Sequence, residues 1–229
     1  VPLTENSKVK VTGVVDRVDI MTRGNKKYLR IVDYKTGNQE FDLYNVIEGL
    51  DLQMCLYLLA IEKNGKARYG DIIPAGVLYL PSRLGVSEME YGRNKSEKEI
   101  AQRKMESGKL SGMILNDVSV LTGMGVGELA GYLPVKVSKE GKISGSLYNA
   151  EQFYKLSRKI DDIIKSMGLS LHKGAIPVYP YRKKNKKSIC SYCDYSSVCG
   201  FEDGDAVRNI EKLNHQQVLK KLEEESYDE

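Results

Sequence analysis

The chain has 229 residues, 41% of them hydrophobic and 29% charged, with a net charge of +4. That is length for one core or a core with a small appendage, and a composition that excludes general disorder. No apolar run reaches the roughly 18–20 residues of a membrane helix and no export signal is visible, so no membrane partner is expected and the expected location is the cytoplasm.

In chain order, residues 9–20 (VKVTGVVDRVDI) read as a strand, residues 22–27 as a polar turn with Gly24-Asn25 at its tip, and residues 28–35 (YLRIVDYK) as a second strand. Together they predict an antiparallel hairpin. Residues 43–62 carry apolar positions at helical spacing and predict one or two helices. Residues 75–80 (AGVLYL) predict a short strand stopped by Pro81, which has no N–H for a ladder. Residues 95–107 read as a charged surface helix, and 132–138 as a strand before the turn Glu140-Gly141. Residues 149–170 predict an amphipathic helix with Asn149 as its N-cap. Residues 174–201 form a loop-rich stretch with the cysteines. From Asp205 a helical pattern runs into an acidic end at Glu223–Glu229. The fold class is α/β, or mixed α+β, with a central sheet flanked by helices.

The chemistry concentrates in the predicted hairpin. Side chains alternate along a strand, so Asp33 and Lys35 share a face, and Asp16 can meet them from the neighbouring strand. Two carboxylates beside a lysine suit a hard cation such as Mg²⁺, which prefers oxygen and keeps several waters. Such an ion activates water and offsets charge on a phosphate under attack. A plain exposed ion pair is the other reading of Asp33 and Lys35. Gln53 and Tyr57, four apart, lie on one helical face, where they can serve as a hydrogen-bonding and stacking pair or as ordinary helix surface and core. His172 and His215 stand far apart, which argues against a multi-histidine site.

Cys190, Cys193 and Cys199 follow a C-x2-C-x5-C spacing that favours metal over disulfide. Just before them Arg182, Lys183, Lys184, Lys186 and Lys187 follow Tyr179 and Tyr181, a composition suited to phosphate and base contact or to a solvated loop. No G-x4-G-K-[ST] loop occurs, so ATP use is not expected of these residues. The first residue, Val1, is not Met, and the sequence reads as a fragment.

GVVD at Gly13–Asp16, VDYKTG at Val32–Gly37 and QMCLY at Gln53–Tyr57, in this order, resemble the PD-(D/E)xK nuclease superfamily in its RecB-like branch. KLSGMILND at Lys109–Asp117 and CSYCDYSSVCGF at Cys190–Phe201 are similar to the C-terminal nuclease domains of AddB-type subunits of bacterial helicase–nucleases. The resemblance covers roughly 9–201. It implies a restriction-endonuclease-like core at 1–173, a basic, cysteine-rich module of iron–sulfur type at 174–203 and a helical tail at 204–229. It implies that Asp16, Asp33 and the backbone carbonyl of Tyr34 bind Mg²⁺, that Lys35 is catalytic, and that Gln53 and Tyr57 hold the DNA strand and order the site. Cys190, Cys193 and Cys199 would be ligands of a 4Fe-4S cluster. The fourth cysteine and an upstream helix of the family have no counterpart before Val9. Cys55, inside the Gln53–Tyr57 stretch, reads as a buried small residue, so zinc or free thiols are the other states of the three.

The implied function is Mg²⁺-dependent exonuclease action on DNA ends during recombinational repair, in the bacterial cytoplasm, beside an AddA-type helicase–nuclease partner. A stand-alone RecB-like exonuclease and a non-catalytic DNA-binding scaffold are the alternatives.

Overall fold

An apolar run buried on both its faces builds β4 (Lys26–Lys35), the strand around which the rest is arranged. In the computed structural model, residues 1–36, 40–82, 108–128, 130–183, 188–202, 204–211 and 213–224 are described. A small hairpin, β1 (Pro2–Thr4) and β2 (Ser7–Lys8), opens the chain. Next comes β3 (Arg17–Arg23), antiparallel to β4, with Gly24 at φ +56° in the tight turn between them. The expected strand at 9–20 is therefore shorter, beginning only at Arg17. Residues 9–16 run instead as irregular chain, with Gly13 against the ring of Tyr57.

After β4 come α1 (Leu43–Ile47), α2 (Gln53–Asn64) and α3 (Lys66–Tyr69). They form the crossover that a parallel return requires. Asp42 caps α1 by accepting from the Tyr44 N–H at 2.9 Å. The crossover delivers β5 (Ile73–Pro81) parallel to β4, with Asp33 beside Tyr79 and Lys35 beside Pro81. Pro81 ends β5, as its missing donor demands.

Two further strands, β6 (Ser111–Leu115) and β9 (Leu147–Tyr148), complete a five-stranded mixed sheet in the order β3-β4-β5-β6-β9. Between them lie α4 (Val118–Gly123) and a separate hairpin of β7 (Val135–Val137) and β8 (Ile143–Gly145). The predicted strand at 132–138 and its Glu140-Gly141 turn fall on that hairpin. The charged helix expected at 95–107 lies outside the described residues.

The long helix α5 (Ala150–His172) starts at a full capping box. The Asn149 side chain accepts from the Gln152 N–H, and the Gln152 side chain accepts from the Asn149 N–H. Its buried residues Phe153, Leu156, Ile160 and Ile164 recur every three or four positions and face the core. β10 (Tyr181–Lys183) pairs in parallel with β11 (Arg208–Ile210). The cysteine-bearing residues lie between these two strands and include the short helix α6 (Ser196–Cys199). The helical pattern expected from Asp205 is thus split into β11 and a helix, α7 (His215–Glu224), whose Val218 and Leu222 are buried. Among the described residues, no helix is long and apolar enough to cross a membrane.

Candidate active site

The site forms where β3 begins and β4 ends. Arg17 pairs with Val32, so Asp16, one residue earlier, stands across from Asp33. Asp16 Oδ2 accepts from the Tyr34 N–H at 3.1 Å, which fixes the carboxylate to the end of β4. Asp33 and Lys35 share a face: Lys35 Nζ lies 2.6 Å from Asp33 Oδ2. Asp33 is only 5% exposed. The lysine compensates a buried carboxylate whose charge would otherwise be costly at this depth.

The ammonium of Lys35 also lies 4.8 Å from the centroid of the Tyr79 ring. The phenol is buried, and burial first, then the charges of Asp51, Cys55 and Asp33, hold its pKa well above the ordinary range. Tyr79 is therefore a neutral aromatic floor beneath the lysine. Ser82 closes the end of β4, its N–H donating to Lys35 O at 2.9 Å. No signal near the DYK segment points to Tyr79 or Ser82, since both arrive by the parallel pairing of a distant strand.

Helix α2 packs on β4 and β5 and carries the second group. Gln53 Nε2 donates to the Tyr57 hydroxyl at 3.0 Å. Tyr57 also lines a cavity of 830 Å³ with Gly13, Val15, Leu56, Arg68 and Tyr69. Thus Gly13 and Asp16, close in sequence, touch the Tyr57 ring and the end of β4 respectively.

Asp19, three residues after Asp16, belongs to a different cluster. It binds Arg17 at 2.7 Å and Arg30 at 2.8 Å. Burial alone would raise its pKa, but hydrogen bonds and charge from both arginines outweigh it and leave the carboxyl lowered. The Arg17 guanidinium, held above its ordinary range chiefly by Asp19, also donates to the Tyr34 hydroxyl at 3.4 Å.

The cysteines are placed differently. Cys190 lies in a 3-10 turn at Ile189–Tyr192, Cys193 is exposed just after it, and Cys199 ends α6. Cys55 is sealed in the core, where burial pushes its thiol up to about 12. Among the described residues no three His, Cys, Asp or Glu side chains gather as a metal set. Cys55, sealed in the core, stands apart from Cys190, Cys193 and Cys199. Of the basic run, Arg182 is exposed and Lys183 lies 5.9 Å from the Tyr181 ring. Lys184, Lys186 and Lys187 lie outside the described residues.

A sequence model of the PD-(D/E)XK nuclease superfamily matches residues 1–200. The chain belongs to that superfamily. The nuclease is also similar, over nearly its whole length, to the B-type subunits of bacterial ATP-dependent helicase/deoxyribonucleases. Identity is 35% over 232 residues with that of Clostridium kluyveri, covering 97% of the chain. It is 35% over 240 residues with that of Clostridium novyi, covering 100%, and 31% over 230 residues with that of Thermoanaerobacter sp. strain X514, covering 97%. The nuclease spans about a fifth of the length of these relatives, 20% in the first and third and 21% in the second.

Proposed function

We propose that this chain is a Mg²⁺-dependent DNA exonuclease domain of an AddB-type subunit, which processes double-strand ends for recombinational repair with an AddA-type partner. The observation that carries the reading is Asp33, a buried carboxylate ion-paired to Lys35 at 2.6 Å and set across from Asp16 where β3 begins and β4 ends. Two carboxylates brought together from adjacent strand ends are the hard oxygen donor chemistry that Mg²⁺ prefers. Asp16, Asp33 and the Tyr34 carbonyl would hold it, and when bound it supplies an activated water and charge for the phosphate.

The chain's own groups do the rest. Asp33 keeps Lys35 aimed across the site, and the ammonium offsets negative charge that grows on the phosphate as the water attacks. The Tyr34 N–H holds Asp16 in one orientation, so it does not have to be ordered during reaction. Gln53 orients the Tyr57 hydroxyl, and the ring offers a stacking face to a base next to the scissile bond. Residues 174–203 and 204–229 are proposed as a module and a tail attached to the nuclease core 1–173.

The test is cleavage of linear DNA with Mg²⁺ or with EDTA, alongside Lys35→Ala and Asp33→Asn. Both variants are expected to lose roughly a hundredfold or more in rate while remaining folded by circular dichroism. Cleavage that persists in EDTA, or in Lys35→Ala, overturns the assignment. DNA binding without any cleavage moves the reading to a non-catalytic scaffold.

A further inference from the structure

Asn45 lies on α1 and is 4% exposed, among buried neighbours on every side of its helix. Its amide nitrogen donates to Asp51 Oδ2 at 2.7 Å, and its backbone carbonyl accepts from the Leu50 N–H at 2.7 Å. Its side-chain oxygen is buried with no partner. An unmet buried amide oxygen is destabilising, and an apolar residue of the same size would avoid that penalty. The residue it grips is itself unusual. Asp51 has φ +52°, the left-handed region, and among the described residues no other non-glycine has a positive φ. Strain of this kind persists where the surrounding structure imposes it, and it gathers at working sites.

The loop these two residues shape leads straight to the site. Asp51 is two residues before Gln53, where α2 begins. Its charge reaches the Tyr79 phenol, as does that of Asp33. The loop is also held from the other side: Arg208 on β11 donates to Glu48 O at 3.1 Å, and Lys221 on α7 pairs with the Glu48 carboxylate at 3.2 Å. Glu48 to Asp51 is thus clasped from the core by Asn45 and from the end of the chain by Arg208 and Lys221.

We propose that Asn45 is a positioning residue for the hydrolysis proposed above. Acting through Asp51, it fixes where α2 starts, and so where Gln53 and Tyr57 stand relative to Asp33 and Lys35. The proposal rests on that nuclease reading. The penalty of the buried amide is retained because the bond to Asp51 serves the site rather than the fold.

Asn45→Leu separates these roles. It removes the unmet oxygen at similar volume, leaves the backbone bond to Leu50, and frees an Asp51 carboxylate that is already exposed to water. The expected melting temperature is unchanged or higher. The expected kcat on linear DNA with Mg²⁺ falls about tenfold, with KM changed less than twofold, as for a modest misplacement of aligned groups. Asp51→Asn keeps an acceptor for Asn45 and tolerates the left-handed conformation, so it should lose far less rate than Asn45→Leu.

Amide hydrogen exchange over residues 50–54 is the readout independent of catalysis, and it should quicken in Asn45→Leu but not in Asp51→Asn. Wild-type exchange in Asn45→Leu overturns the proposal whatever the rate. So does a large fall in melting temperature, or an equal loss of rate in Asp51→Asn. If the wild-type chain does not cleave, the nuclease reading fails, and the exchange result still decides the loop.

Discussion

A methyl group built on Gly13 would stand 2.5 Å from Tyr57 Cε1 and 2.7 Å from its hydroxyl oxygen. Nothing else at that position demands glycine, since its φ is ordinary; the constraint is space. Gly13→Ala should therefore push the ring aside and break the 3.0 Å bond from Gln53. The expected result is a fall in cleavage rate larger than the loss of stability, which overpacking sets at about 1–3 kcal/mol. Cleavage kinetics beside urea unfolding check it, and an unchanged rate would detach Tyr57 from the chemistry. The same scale shows what could be read beforehand. Asp33 and Lys35 were legible as a pair because two-residue alternation needs only one strand. Tyr79, Ser82 and Asn45 were not, because each reaches the site through a crossover or a loop whose geometry no local spacing encodes.

At the scale of elements, capping chemistry and periodicity were the reliable signals. Asn149 marked the start of α5, where Gln152 completes the cap, and the Gly24-Asn25 turn sat where the hairpin expectation put it. The strand expected at 9–20 failed over its first half because these valines find no sheet to enter, and Val11 and Val14 are exposed. Val9 bonds back to Val1 and packs near Gly168 of α5, and Gly13 lies under Tyr57, so these residues are held by the opening hairpin and by side chains rather than by β4. β6 and β9 are too short for alternation to announce them. Helix α7 carries a prediction of its own. His215 Nε2 lies 2.7 Å from Leu147 O, and burial lowers the imidazole pKa below its usual 6.5 despite that bond. Below about 6.5 the unfolded chain takes up a proton that the folded chain resists. The contribution is thus fully present above pH 6.5 and is lost as pH falls toward the lower folded value. Melting temperature should decline through that window, and His215→Gln, which can still donate to Leu147 O, should flatten the decline.

For the whole molecule, the superfamily match ends at residue 200, but the core does not. Ile210, Val218 and Leu222 are buried beyond that point, and Lys221 and Arg208 reach back to Glu48. A chain stopped at Phe201 should lose several kcal/mol, from about 1.5–3 kcal/mol for each buried aliphatic side chain removed. Calorimetry would register it as a much lower melting temperature, and an unchanged one would make residues 204–224 a mere appendage. Sequence periodicity could announce a helix here, but not that the helix seals the core, because its partners α1 and α5 lie far back along the chain.

The parallel pairing of β10 with β11 has a consequence for how such a protein can change. A parallel pair must be joined by a crossover, and here the cysteine-bearing stretch is that crossover. Its Tyr192, Tyr195 and Val198 are more than 70% exposed, and among its described residues none is buried. It behaves as a cartridge seated between two rails, and a lineage could empty it, refill it with other ligands or trade it for another cartridge while the nuclease beneath kept its shape.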